Sequence, residues 1–451
     1  MFFEIYIYML KKGDKKLINA WAFYDWANSV YPLVITTAVF PLYYGMVTGG
    51  KDAQVTFLGT EWNNTVLYSY TLSVSFLVVA FISPMLSSIA DYMGNKKRFL
   101  QFFCLLGSFS VMSLYFFDGI DRLWVGIIFS ILASIGFWGS IVFYNAYLTE
   151  VAFPEQHDKV SAKGFIHGYV GSVFLLLFIL TMIMKPEWYG FIDHPLQPGE
   201  APPTLVFQMS FVLVGIWWLG FAQYTFSYLP SNTFKRKPEK DYIFKGFKEL
   251  KLVYKEVKEL PVLKIFLASF FLFSAGVQTI IVLAGKFGDE ELGLPTTNLI
   301  ITILLIQLVA VLGAYLFARI SGKIGNIKTL KITIAIWVLV SFAAYLLPGK
   351  SPNVDMYFYA LGGVLGLVLG ATQTLARSTY SKLIPENTYD NATYFSFFDV
   401  TEKIAIVMGT FSFGLIQSLT GSMRSSVLVL SMFFFLALVV MNFMKKTKYV
   451  K

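Results

Sequence analysis

The chain has 451 residues, 56% of them hydrophobic and only 14% charged, with a mean hydropathy of +0.63. Soluble domains carry about 25% charged residues, so this balance excludes a water-soluble fold and requires repeated burial in lipid. The net charge of +9 suits anionic lipid on the inner leaflet rather than nucleic acid, and the single Cys104 leaves neither a disulfide framework nor a thiolate metal site within the chain.

A bilayer core of about 30 Å takes about 20 apolar residues per helical crossing. Twelve such crossings are predicted, at 21–45, 68–90, 99–117, 123–148, 164–184, 205–229, 263–285, 298–318, 330–347, 356–383, 394–419 and 425–444. With the N-terminus cytoplasmic, 28 of the 36 basic residues fall in the inner segments or at the inner ends of crossings and the six outer loops hold one each, while Arg377 and Lys403 lie deeper within crossings. This bias places both termini in the cytoplasm of an integral, multi-pass protein. The outer loops 46–67 and 185–204 read as irregular caps.

The first crossing opens Trp21-Ala22-Phe23-Tyr24-Asp25-Trp26-Ala27-Asn28-Ser29. Asp25 and Asn28, three apart, share a helical face in a segment with little other polarity. Asp25 is a candidate for proton coupling, or a structural carboxylate clamping a neighbouring helix. Asp91 ends the second crossing ahead of Gly94, which permits a tight turn, and is left to find a positive end such as the N-terminus of a facing helix. The fourth crossing closes through Tyr144, Asn145 and Glu150; the fifth carries His167, which serves either as a proton relay or as a hydrogen-bonded packing residue.

Between the halves, 230–262 is the most basic stretch. Ile243, Phe247, Leu250, Tyr254 and Val257 recur at three and four, with lysines opposite. This spacing predicts an amphipathic helix, either on the inner membrane surface or as a solvated linker.

In the tenth crossing Gly362, Gly366 and Gly370 form a stripe where another backbone can approach, and the stripe continues into Gln373 and Arg377. Arg377 can hold a solute carboxylate or phosphate with its planar fork, or pair with Asp399 or Glu402 to close an inner gate. On the eleventh crossing Asp399 and Lys403, one turn apart, are placed to pair, leaving Glu402 to Arg377 or to protons.

A shift of 231 residues lays Met93-Gly94-Asn95 on Ile324-Gly325-Asn326, Lys97 on Lys328, Gly139 on Gly370 and Pro154-Glu155 on Pro385-Glu386. One register across three places implies an internal duplication. The expected fold class is therefore an all-α membrane protein of twelve transmembrane helices in two six-helix pseudo-symmetric halves, residues 1–229 and 263–451, joined by the linker 230–262.

The turn around Asp91 and Gly94 is similar to the motif between the second and third helices of the major facilitator superfamily, with Ser87 where glycine is usual and, in the second copy, Gly322 in place of aspartate. The stretches 21–29, 143–150, 161–172 and 370–386 resemble the vacuole-effluxer-like branch of that superfamily, which includes an autophagy-linked vacuolar amino-acid exporter. The resemblance implies a secondary transporter with amino acids or related small solutes as a first substrate class. Asp25, Asn28, Tyr144, Asn145, His167, Gln373, Arg377, Asp399 and Glu402 are the candidates for binding or coupling; Asp91, Gly94, Glu150 and Lys403 are the candidates for the gate. Nucleophile elbows, paired-histidine zinc motifs, Walker loops and dinucleotide fingerprints are absent from the sequence, so no enzyme, cofactor or metal is expected. The expected partners are a small solute, protons and lipid, with the chain a monomer. The competing reading is a transporter-shaped sensor or scaffold that moves nothing.

Overall fold

The computed structural model describes residues 10–50, 53–197, 199–231, 242–349, 351–386 and 388–444. Among these residues twelve helices are long and apolar enough to cross a bilayer. In order they are Lys15–Val47, Asn64–Met93, Lys96–Phe116, Ile120–Val151, Pro154–Met184, Thr204–Tyr228, Pro261–Glu291, Thr297–Ile324, Asn326–Leu346, Val354–Leu383, Asn391–Thr420 and Met423–Met441. They are called here the first to twelfth spans. With six spans on either side of the linker helix, the start of the first span and the end of the twelfth lie at the same end of the bundle as that helix, called here the linker end.

Local chemistry sets the boundaries. The first span starts earlier than the apolar run because the Asp14 carboxylate accepts the N–H groups of Lys16 and Leu17, satisfying donors that a helix start leaves open. It also changes form just beyond Asp25 and Asn28, opening into a π-helix over Tyr31–Val39. Pro32 and Pro41 supply no N–H to the ladder, and the Phe40 N–H reaches back to the Ile35 carbonyl, the wider bond of a π turn. Gly94 closes the second span at φ 66°, a left-handed cap that glycine adopts without strain.

The loop read as an irregular cap after the first span contains a hairpin, β1 (Gln54–Phe57) with β2 (Thr60–Asn63), antiparallel. Leu58 and Gly59 turn it at φ 51° and 75°, positive at both central positions, as a two-residue hairpin turn requires.

The glycine stripe of the tenth span is seated on the eighth. A Cβ at Gly366 would fall 2.4 Å from the Ile306 carbonyl oxygen, and one at Gly370 would fall 2.0 Å from that of Ala310. Contact this close fixes the rotation of the tenth span and hence where its polar end points.

The linker helix, Tyr242–Glu259, does not simply lie in the lipid interface or in solvent. Val253 and Val257 are buried, and Gly246 sits against Ile89 of the second span. Lys245 lies over the Tyr92 ring, Tyr254 stacks on Phe397 of the eleventh span, and Glu256 accepts the Tyr394 hydroxyl at 2.8 Å. The helix straddles one helix from each half, while Phe244 and Leu252 remain exposed.

Candidate functional site

With the tenth span locked on the eighth, Arg377 projects into the first half, where its side chain is buried. Nη1 and Nη2 donate to Asp25 Oδ2 at 3.2 and 3.3 Å. Nη1 also donates to Asn145 Oδ1 at 3.3 Å, Nη2 to the Ser161 carbonyl at 2.8 Å, and Nε to Ser161 Oγ at 3.0 Å. These bonds match the donor capacity of a guanidinium. Tyr144 donates its hydroxyl to the same Asp25 oxygen at 2.8 Å. Aromatic faces close the sides: Arg377 lies 3.9 Å from the Phe165 ring centre and 5.1 Å from that of Trp21, and Trp21 stacks on Tyr144 at 4.6 Å.

The pairings that the sequence offered Arg377, Asp399 or Glu402, are therefore not the ones formed. Both acids are engaged elsewhere, and the first span carries Asp25 to the guanidinium instead. The fifth span can join them only because Gly164 lacks a side chain. A Cβ there would fall 2.4 Å from Asp25 Oδ2 and 2.9 Å from Arg377 Nη2. Ser161, one turn earlier, also donates to the Thr374 carbonyl at 3.0 Å, and Gln373 accepts the Tyr169 hydroxyl at 2.5 Å. Spans one, four, five and ten thus share a single polar knot.

Asn28 is buried beside this knot but outside its hydrogen bonds. Its Oδ1 takes Ser29 Oγ at 3.4 Å, and its Nδ2 has no partner among the described residues. His167 is held by the Lys163 carbonyl at 2.9 Å and by the edge of Phe23, a packing arrangement.

A second charged group lies on the eleventh span. Lys403 Nζ is 2.7 Å from Asp399 Oδ1 and 3.5 Å from Glu402 Oε2, so the one-turn pair expected from spacing is formed. Gln278 of the seventh span donates to Glu402 Oε1 at 2.8 Å.

At the linker end, two latches join the halves. Asp91 accepts the backbone N–H groups of Ala392 at 3.2 Å and Thr393 at 2.7 Å, together with Thr393 Oγ1 at 2.8 Å. It caps the eleventh span, the facing positive helix end that its position called for. Lys96 bridges Asp91 at 3.2 Å and also pairs with Glu150. The other latch uses residues that the motif reading passed over. Asp158, in the first turn of the fifth span, takes Lys382 at 2.8 Å, Asn326 Nδ2 at 2.8 Å and Ser321 Oγ at 2.9 Å. Gly322 stands where the second repeat lacks its aspartate, so here the acid comes from the opposite half.

A small apolar pocket of about 50 Å³ lies apart from all these charges, inside the second half between Thr279, Phe287, Ser341, Phe358 and Phe413. Its hydrocarbon lining offers a polar solute little.

Comparison with known proteins accords with this architecture. The family described as "Vacuole effluxer Atg22 like" matches residues 13–450. The chain belongs to the vacuole effluxer Atg22-like family. Similar relatives include the Bacillus subtilis "Uncharacterized MFS-type transporter YxiO", 29% identical over 96% of both chains. Autophagy-related protein 22-1 of Penicillium rubens is 23% identical over 89% of this chain and 78% of its own. Among solved structures, the major facilitator transporter FucP in its outward conformation superposes with a TM-score of 0.69 at 13% identity, covering 96% of this chain and 99% of its own. The proton:xylose symporter XylE gives 0.70 at 13% identity, covering 99% and 98%. This member of the vacuole effluxer family therefore has the major facilitator fold, and is a multi-pass membrane transporter rather than an enzyme.

Ser161, Gly164, Tyr169, Asp158 and Lys382 are the site residues that sequence reasoning left without a role. Ser161, Gly164 and Tyr169 lie inside a stretch that carries the family resemblance, which is the one signal pointing to them; their partners are distant in the chain. Asp158 and Lys382 sit at span ends, where a charge needs no explanation.

Proposed function

We propose that this chain is a secondary active transporter that moves a small polar solute bearing a carboxylate, an amino acid or a related organic acid in the first instance, with protons as the coupling ion. The linker end faces the cytoplasm, following the lysine and arginine bias. Alternating access rocks the two six-helix halves about the central knot.

The observation that carries this reading is the hold of the first half on Arg377. A guanidinium in the second half is fixed by Asp25, Asn145 and Ser161 of the first, across the seam that alternating access must open. A solute carboxylate brings two oxygens to the fork, where Asp25 engages it through Oδ2 alone. By competing for the fork it loosens the attachment between the halves, so binding energy is converted into movement at the seam. The latches of Asp91 and Asp158 hold the linker side shut, and FucP, a neighbour in fold, was captured in an outward conformation.

The test is counterflow in proteoliposomes with a mixture of radiolabelled standard amino acids. Exchange by the wild type that is lost in Arg377→Ala, with that variant still monodisperse, supports the reading. No exchange of amino acids, sugars, nucleosides or organic anions by the wild type would favour the sensor or scaffold alternative.

A further inference from the structure

The charges of the molecule are not balanced everywhere. Arg377 answers Asp25, and Lys382 answers Asp158. On the eleventh span, two carboxylates, Asp399 and Glu402, share one ammonium, Lys403. The group carries a formal charge of minus one. It also lies deep: Lys403 is about 18 Å along its helix from the linker end, at about 1.5 Å per residue, near the midpoint of a span of 30 residues.

The surroundings leave that charge uncompensated. Asp399 is 3% exposed and Lys403 1%. Asp399 Oδ1 takes the ammonium, whereas Oδ2 is buried with no hydrogen-bond partner among the described residues. The charged groups against Asp399 are Lys403 and Glu402, both on its own helix. Among the described residues, the packed neighbours contribute groups that do not titrate: Gln278 of the seventh span on Glu402, and the Trp138 ring of the fourth span, 3.5 Å from Lys403 Nζ. An unpaired carboxylate oxygen in a dry interior is expensive, and the least costly neutral state places one proton on the pair.

We propose that Asp399 and Glu402, with Lys403, form the binding site of one coupling proton. Protonation converts a carboxylate to a carboxylic acid by adding H⁺ alone, and that acid can donate where Oδ2 now has nothing to accept. Asp25, the sequence candidate for this role, has Arg377 as its ion-pair partner and its Oδ2 taken by the Tyr144 hydroxyl. A metal cation is disfavoured by the ammonium between the carboxylates, which would repel it.

The site is also placed to report across the seam. Lys403 is shared between Asp399 in its own half and the face of Trp138 in the other. A proton on Asp399 weakens the ion pair and shifts the ammonium toward the aromatic face, changing a contact between halves in the middle of the membrane. Proton occupancy and the relative position of the halves are then one linked equilibrium. This rests on the transporter reading for its purpose, but the protonation itself does not need transport to be measured.

The test is infrared difference spectroscopy of the full-length purified protein during a pH titration, which reads the C=O stretch of a buried carboxylic acid. The wild type should show such a band near neutral pH that bleaches as pH rises. Asp399→Asn or Glu402→Gln should remove it, as should the triple variant Asp399→Asn with Glu402→Gln and Lys403→Met, which discards the charged group as a unit and guards against misfolding of the single variants. A band that persists in all three variants, or its absence from the wild type, would overturn the proposal. A band that appears only when sodium chloride is exchanged for choline chloride would overturn it in favour of a sodium site. Failure of the proteoliposome counterflow with this band intact would sink the transport reading and leave the proton site standing.

Discussion

Asp91 of the second span accepts the Thr393 N–H at 2.7 Å at the start of the eleventh, a carboxylate from one half capping a helix of the other. The second latch runs from the same half: Asp158, at the start of the fifth span, draws its donors from Ser321, Asn326 and Lys382 of the second half. Both acids of the closed linker end therefore come from the first half and all of their donors from the second, with Gly322 standing where the second copy lacks an acid of its own.

From the first latch it follows that Asp91→Ala opens that end. Hydrogen bonds to a charged group contribute about 1.5 to 3 kcal/mol each, and here three are lost along with the ion pair to Lys96. Ala162 is buried against Ala314 and Ala318 across the seam. In a Cys104→Ser background, a thiol at Ala162→Cys should be labelled at least tenfold faster when Asp91 is removed. Equal labelling rates would mean that the latch does not hold the halves together.

The buried pair of Arg377 and Asp25 should behave as a unit. Removing one partner from a buried ion pair costs about 3 to 5 kcal/mol because it strands the other. Arg377→Ala and Asp25→Ala should each lower the unfolding temperature in detergent markedly, and the double variant should lose less than the sum of the two. Additive losses in this cycle would deny a direct interaction.

Much of the architecture was legible because lipid imposes one rule on every crossing: runs of apolar residues long enough to span, with basic residues between them. The internal register and a face of the tenth span open to close backbone approach were also visible, since Gly362, Gly366 and Gly370 recur at helical spacing, but the partner, the eighth span, was not. The charged residues of the knot were recognisable as costly, but not their pairing. Asp25 and Arg377 lie at opposite ends of the chain, and only the folded bundle decides that Arg377 meets Asp25 and not Asp399. The π-helical stretch after Asn28 was hidden because proline in an apolar run marks a break without saying which helix form absorbs it. The linker's lysine and apolar faces looked suited to lipid, although two valines turn inward onto the second and eleventh spans.

Gly164 supplies a test that changes no charge. Its missing side chain makes room for Asp25 Oδ2 and Arg377 Nη2, so Gly164→Ala would wedge a methyl group into the pair. Counterflow should fall at least tenfold in this variant. Gly45→Ala, at a position with nothing within 4 Å, should leave it unchanged. Similar rates in both would show that the geometry of the knot is not limiting.

The attachment of the linker helix should depend on pH. Asp390, in the loop before the eleventh span, has its carboxyl pushed up to about 6, chiefly by burial and further by Glu249 of the linker helix beside it. A raised carboxyl pKa means that the docked state binds the proton more tightly than the undocked one, so docking is strongest below the ordinary value of 3.8 and weakens as pH rises from there through about 6, above which it levels off. Above it, two carboxylates face each other at the junction and repel. Hydrogen exchange of the linker backbone should therefore be slower at mildly acidic pH than at neutral pH, after correction for intrinsic exchange. Asp390→Asn should flatten the difference by removing the titrating group, and a pH dependence that survives in that variant would assign the effect to another residue.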